Sequence, residues 1–213
     1  RTNVVFSVQQ YRPRYQARNY PAQHCPTPLV RRVWKTRETH DAALYKGIAE
    51  MGWTATTMPE EYGGLGMSRL ELVVIAGELG RACAPVPFSS TVYLAAEAIM
   101  ALGTEAQKEA WLPKFADGSA IGCFAMGEAG GAVTPDLMRT TLSDGVINGT
   151  KLPVADGGIA DVAIVVCAAD KGDGATLALV DLSQDCIDKD NVQMIDFSRG
   201  HAELIFNGAC AEV

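Results

Sequence analysis

The residues of this chain best suited to chemistry form a glycine turn rather than a cluster of nucleophiles or metal ligands. Residues 120–135 read AIGCFAMGEAGGAVTP. Ile121, Cys123, Phe124 and Met126 give the start of this stretch the apolar character of a strand, which breaks at Gly127-Glu128-Ala129-Gly130-Gly131. Glycine reaches positive φ without steric cost and lets a backbone approach a flat ligand closely. A strand ending this way can offer N–H groups to a ring or a phosphate, and it can equally be a tight turn that binds nothing. Glu128, within the turn, is a candidate general base. Glu60 and Glu61 form a carboxylate pair, but adjacent residues in a turn point apart, which favours a solvated surface. His24, His40 and His201 lack the neighbours that a metal site or a Ser-His-Asp constellation requires. GEAGG also lacks the spacing of a dinucleotide-binding fingerprint, and no helix follows it.

The six cysteines, Cys25, Cys83, Cys123, Cys167, Cys186 and Cys210, contain no C-x-x-C pair. Cys123 and Cys167 lie inside apolar runs, where a reduced thiol behaves as a small hydrophobe. This pattern argues against a disulfide framework or a zinc site and implies a reducing, cytoplasmic compartment. With 213 residues, 48% of them hydrophobic, the chain has ample material for a core, and it contains no apolar run of membrane-spanning length. Its net charge of −7 is unevenly spread: residues 1–118 carry 13 basic and 11 acidic side chains, residues 119–213 carry 5 and 14. An acidic second half excludes nucleic acid as an expected partner, because phosphate neutralisation needs clustered Lys and Arg. Residues 1–37 hold eight basic and no acidic side chains, which resembles a transit peptide, but Ser7 is their only serine.

The elements that must position the turn follow from periodicity. Pro13 and Pro21 are expected to interrupt helical character near the start. From Asp41, the apolar face Ala42, Ala43, Leu44, Ile48, Ala49 and Met51 predicts a helix closed by Gly52. Thr57-Met58-Pro59-Glu60-Glu61-Tyr62-Gly63-Gly64 predicts a proline turn and a glycine loop. Ser68 with Glu71, and Thr104 with Gln107, read as capping boxes that open two further helices. Another helix is expected from about Ser90 to Leu102. Past Gly118, strand-like runs appear at 120–126, 138–142, 145–148, 161–168, 175–182, 192–196 and 202–206, bounded by Gly, Asp and Asn, including a turn at Gly172-Asp173-Gly174. The expected fold is α+β: a helical domain over 1–118, then a small antiparallel β-barrel or sandwich over 119–213.

Within this frame TMPEEYGGLG (57–66), GTEAQKEAWLPKF (103–115) and Asn148-Gly149-Thr150-Lys151 resemble the acyl-CoA dehydrogenase family over roughly residues 41–213. The resemblance implies an N-terminal helical domain and a middle β domain, with the family's C-terminal four-helix domain missing. It implies FAD-dependent α,β-desaturation of an acyl-CoA thioester. A carboxylate takes the α proton and the flavin takes the β hydride. It places flavin contacts on Phe124, Met126 and Gly127, with Gly130, Gly131 and Thr134 near phosphate or the mouth for acyl-CoA, and Val154 and Ala155 after the Asn-Gly turn. Three departures stand out. The family's Thr-Glu-Pro reads Gly127-Glu128-Ala129 here, and Thr134 is the only hydroxyl near the family's Gly-Ser-Asp element. The family's Trp-x-Thr-Asn reads Pro153-Val154-Ala155-Asp156. The family's catalytic glutamate belongs to the C-terminal domain. Implied partners are an acyl-CoA, sister subunits in a homo- or hetero-oligomer, and an electron-transfer flavoprotein as electron acceptor. The alternatives are a subunit that keeps the fold without its own flavin, and an inactive truncated remnant.

Overall fold

The computed structural model describes residues 8–131, 134–169 and 174–213. The first seven residues and the turn expected at Gly172-Asp173 lie outside the described residues. Six α-helices come first: α1 (Val8–His24), α2 (Thr27–Thr36), α3 (Ala42–Glu50), α4 (Arg69–Arg81), α5 (Glu97–Leu102) and α6 (Glu105–Ala116). Their starts are chemically marked. The Asp41 carboxylate accepts from the Leu44 N–H at 2.8 Å, and Thr104 with Gln107 forms a complete capping box. Ser68 caps α4 differently from expectation, through Leu70 N–H, while its hydroxyl donates to Glu71. Residues Ser89–Ala96 wind as a π-helix and run directly into α5.

α1 continues through Pro13 and Pro21, where the sequence predicted interruption. Packing outweighs local propensity here: Ala17 is buried against a core of Leu44, Tyr45, Ile48, Trp53, Leu72, Ile75 and Val92, and Tyr20 stacks on His24. The loop after α3 is fixed by its glycines. At Gly64 a Cβ would lie 1.9 Å from the Met58 carbonyl oxygen, so only glycine fits. Tyr62, in the same loop, donates to Glu105 at 2.7 Å and ties it to α6.

The β half contains β1 (Gly122–Ala125), β2 (Thr141–Ser143), β3 (Val146–Ala155), β4 (Val162–Ala169), β5 (Ala175–Asp181), β6 (Ile187–Asn191) and β7 (His201–Cys210). They form one sheet in the order β1-β4-β2-β3-β7-β6, with β5 on the other edge of β4. The ladders β1–β4 and β2–β4 are parallel, so the sheet is mixed rather than antiparallel throughout. Alternation along a strand is the same for both pairings, so the sequence pattern does not distinguish them; here the β2–β3 hairpin separates β1 from β4 and returns the chain in the same direction. The sheet curls into a half-barrel. Glu212, just past β7, exchanges two backbone bonds of 2.8 and 2.9 Å with Leu179 of β5. β6 lies at 187–191, earlier than the run expected at 192–196. Pairing of Ile187 with Phe206 sets its register, and Ile195 is left 98% exposed.

Two faces of this sheet make two cores. Cys123, Ala125, Ile147, Val165 and Leu204 fill the barrel. Val162, Ile164 and Leu179 meet Ile99, Leu112 and Phe115 of the helical layer. At the seam, a Cβ on Gly122 would come 2.5 Å from the Ala95 side chain, so glycine is what lets β1 lie against the π-helix.

Candidate functional site

β1 ends at the glycine turn with its side chains already sorted. Cys123 and Ala125 point into the barrel, Phe124 packs on the helix–sheet core, and Met126 is 47% exposed. Phe124 and Met126 therefore belong to the face outside the barrel. The turn itself is stitched to a bulge in β3. Between Lys151 and Val154 the β3–β7 register slips, and Leu152 N–H, freed from that ladder, donates to the Gly127 carbonyl at 2.9 Å. A Cβ on Gly127 would lie 2.9 Å from the Leu152 carbonyl oxygen, so this close approach requires glycine. The Leu152–Pro153 peptide bond is cis.

Glu128 locks this join. Its carboxylate accepts from Lys151 Nζ at 2.8 Å and from the backbone N–H groups of Thr140 at 3.0 Å and Arg139 at 2.8 Å. Lys151, fully buried, also donates to the Met126 carbonyl at 3.2 Å. Burial alone would raise the Glu128 pKa. The Lys151 ammonium and the amide donors outweigh it and hold the pKa at about 2. Held by a lysine and two backbone N–H groups, Glu128 anchors the turn to β3 and to the segment before β2. Glu60 and Glu61 are exposed, as a solvated surface requires.

The remaining expected contacts divide. Gly130 and Gly131 are exposed with φ of 116° and 76°, and Gly131 N–H closes the turn onto the Glu128 carbonyl. Thr134 is exposed, and its carbonyl accepts from Leu137 N–H. The structure brings Gly127 against Leu152 and Pro153. Val154 does not present its side chain there: it is wholly buried in the barrel core, because successive residues of β3 face opposite ways. Its neighbours Pro153, exposed, and Ala155, half-buried, take the outward positions.

A second polar cluster lies next along β3. Asp156, 2% exposed and with φ of 58°, accepts from Ser90 Oγ of the π-helix at 2.5 Å and from the Arg199 guanidinium at 2.7 Å. Sequence reasoning missed Lys151 as the partner of Glu128, and did not bring Ser90, Asp156 and Arg199 together. The Asn148-Gly149-Thr150-Lys151 register marked the position of Lys151 but not what it pairs with. Among the described residues no group of three His, Cys, Asp or Glu could hold a metal ion, and no helix is long and apolar enough to cross a membrane.

A helical layer docked on a curled mixed sheet, with a clamped glycine turn on the outer face of the sheet, defines the kind of protein. Residues 9–119, just over half of the chain, match the family model described as the N-terminal domain of acyl-CoA dehydrogenase. The chain belongs to the acyl-CoA dehydrogenase family. It is 35% identical over 131 residues to the acryloyl-CoA reductase (NADH) of Anaerotignum propionicum, covering 58% of this chain and 33% of that protein. It is 33% identical over 138 residues to the mitochondrial short-chain specific acyl-CoA dehydrogenase of Homo sapiens, covering 61% of this chain and 33% of that protein. Among solved structures, a variant of the Tcur3481-Tcur3483 steroid ACAD superposes with a TM-score of 0.85 at 27% identity, over 95% of this chain and 56% of that one. The chain spans about a third of the length of these curated relatives.

Proposed function

We propose that this chain supplies the helical and β portions of a flavin-dependent acyl-CoA dehydrogenase that desaturates an acyl-CoA thioester between its α and β carbons. The observation that carries this reading is the Gly127–Gly131 turn, clamped by Glu128 and Lys151 beside the outward-facing Phe124, Met126, Pro153 and Ala155. These residues suit one side of a flavin ring. Their side chains are apolar, and main-chain donors do not depend on side-chain identity. When bound, FAD supplies the acceptor for the β hydride.

The chain's own residues orient and shield. Phe124, Met126 and Ala155 exclude water from the ring face. Gly127, Gly130 and Gly131 keep the backbone low enough for close approach, and Thr134 lies at the polar end. No carboxylate at the turn is free to accept a proton, so this reading places the α-proton acceptor outside these residues. It also takes an electron-transfer flavoprotein as the electron acceptor, an oligomer of related subunits as the working form, and the cytoplasm as its location.

A second reading has its own observation. Gly127, Pro153 and Ala155 bring neither a hydroxyl nor an indole to the surface where the family's Thr and Trp positions fall, which suits a subunit that keeps the fold and leaves the flavin to a partner. The test is the visible absorbance of the full-length gene product during titration with acyl-CoA thioesters. A bound flavin that bleaches on addition of substrate is expected. A protein that carries flavin only after a related chain is added would favour the second reading. One that carries none under either condition would overturn the first.

A further inference from the structure

The cap that ends α4 has the form of a glycine cap and carries a cysteine. Cys83 N–H donates to the Gly80 carbonyl and Ala84 N–H to the Leu79 carbonyl, both at 3.0 Å, the paired closure with which many helices end. The left-handed position of this closure belongs to Cys83, with φ of 50°. A Cβ is disfavoured in that conformation, and glycine is its usual occupant. A side chain kept there against strain points to a use for it.

A second thiol lies against the same cap. Cys25 closes the last turn of α1 by donating its N–H to the Pro21 carbonyl at 2.8 Å, and it is buried in the core shared by α1, α3 and α4. Its Sγ contacts the Ala82 carbonyl oxygen at 3.8 Å, and that carbonyl belongs to the peptide bond leading into Cys83. Peptide geometry sets the Cys83 Cα about 3 Å from this oxygen, so the Cys25 sulfur is at most about 7 Å from that Cα. Burial, then Asp41 and then Cys83 itself push the Cys25 thiol up to about 11, so the two sulfurs are within electrostatic reach of one another. The pair is asymmetric: Cys83 is exposed and meets solutes, whereas Cys25 is buried and protonated. An accessible thiol beside a sheltered one is the arrangement in which the first is oxidised and the second resolves it.

We propose that Cys83 is a site of modification by peroxide and that Cys25 resolves it as a reversible disulfide, joining the end of α1 to the end of α4. The Cys83 sulfur attacks one peroxide oxygen; an S–O bond forms, the O–O bond breaks and water leaves. The Cys25 sulfur then attacks the Cys83 sulfur; the S–S bond forms, the S–O bond breaks, and the hydroxyl leaves with the Cys25 proton as a second water. Two thiols are oxidised and hydrogen peroxide is reduced. A small-molecule thiol reverses the bond by exchange, so the site needs no standing disulfide framework. Neither flavin nor thioester takes part, and the test is separate from that of the dehydrogenase reading.

The full-length gene product is treated with hydrogen peroxide and mapped by peptide mass under non-reducing conditions. The expected product is a Cys25–Cys83 link that dithiothreitol undoes. Cys25→Ser removes the resolving thiol and is expected to abolish the link and leave Cys83 as a sulfenic acid, captured as a dimedone adduct. Cys83→Ser is expected to leave Cys25 unmodified. Cys210→Ser, which removes the other exposed cysteine of the described residues, is expected to leave the link intact. The proposal is overturned if Cys83 of the unsubstituted protein stays a thiol while Cys210 is oxidised, if Cys83 is oxidised without linking to Cys25, or if Cys25 is oxidised equally fast in Cys83→Ser. Mapping of the unsubstituted protein needs no variant, so it decides the matter even if a substitution prevents folding.

Discussion

Two carboxylates of this molecule, half-buried Glu128 and buried Asp156, lie near the two ends of one short segment of β3, yet they are satisfied in opposite ways. Glu128 has a fully buried lysine and two backbone N–H groups, and Lys151 spends its remaining reach on a carbonyl of the same turn. Asp156 has a serine hydroxyl from the helical layer and an arginine whose Nε is buried without a hydrogen-bond partner among the described residues. A closed network rigidifies what it joins, and an open one leaves a specific demand for a partner. The first therefore reads as scaffold for the surface where a flavin would lie, and the second as a joint between the sheet and the helical layer that leaves one donor unpaired.

The sharpest way to break the comparison is Lys151→Met. It leaves the half-buried Glu128 carboxylate without its cation, held only by two backbone N–H groups, and the expected cost is about 2–4 kcal/mol in urea unfolding, since an uncompensated enclosed charge is far worse than a lost surface pair. If Glu128 were the less important of the two carboxylates, this variant would unfold near the concentration of the unsubstituted chain. Adding Glu128→Leu to Lys151→Met is expected to restore a large part of the loss, because removing both partners removes the uncompensated charge.

Acid should find the same pair next. The folded-state pKa of Glu128, about 2, lies below the usual carboxylate value. Its contribution is therefore complete above pH ~4.3 and disappears as pH falls through about 2, roughly 3 kcal/mol in all. Unfolding followed between pH 6 and pH 2, with Lys151→Met as control, checks this: the control should lose much less of its remaining stability over that range.

Ser90→Ala probes the open network. It removes one of the two side-chain bonds to buried Asp156 and is expected to cost about 1.5–3 kcal/mol, read from the melting temperature. The smallest effect has the opposite sign. Gly77→Ala is expected to stabilise the chain by about 0.5–1 kcal/mol, because α4 offers open space there and alanine is the better helix former.

What the sequence revealed, and what it hid, divides by distance along the chain. Helix starts at Asp41 and Thr104 were legible because a cap bonds to residues three positions away. The glycine turn was legible for the same reason. The pairing of Glu128 with Lys151 spans 23 residues, and that of Ser90 with Asp156 spans 66, so no local pattern announces either. The parallel ladders onto β4 were hidden because alternation is blind to strand direction, and the continuity of α1 through Pro21 because tertiary packing overrides a local breaker. Val154 shows how a resemblance alone can misplace a side chain. The alternation of β3 sends it into the barrel and leaves the surface to Pro153 and Ala155.

The central proposal is that Glu128 and Lys151 hold the turn on which a flavin would lie and take no part as acid or base. The direct measurement is FAD affinity of the full-length gene product with and without Lys151→Met, at a temperature where both are folded. A loss of at least about tenfold in affinity is the predicted result, with the visible flavin spectrum shifted in whatever flavin remains bound. Unchanged affinity and an unchanged spectrum in a folded Lys151→Met protein would contradict it.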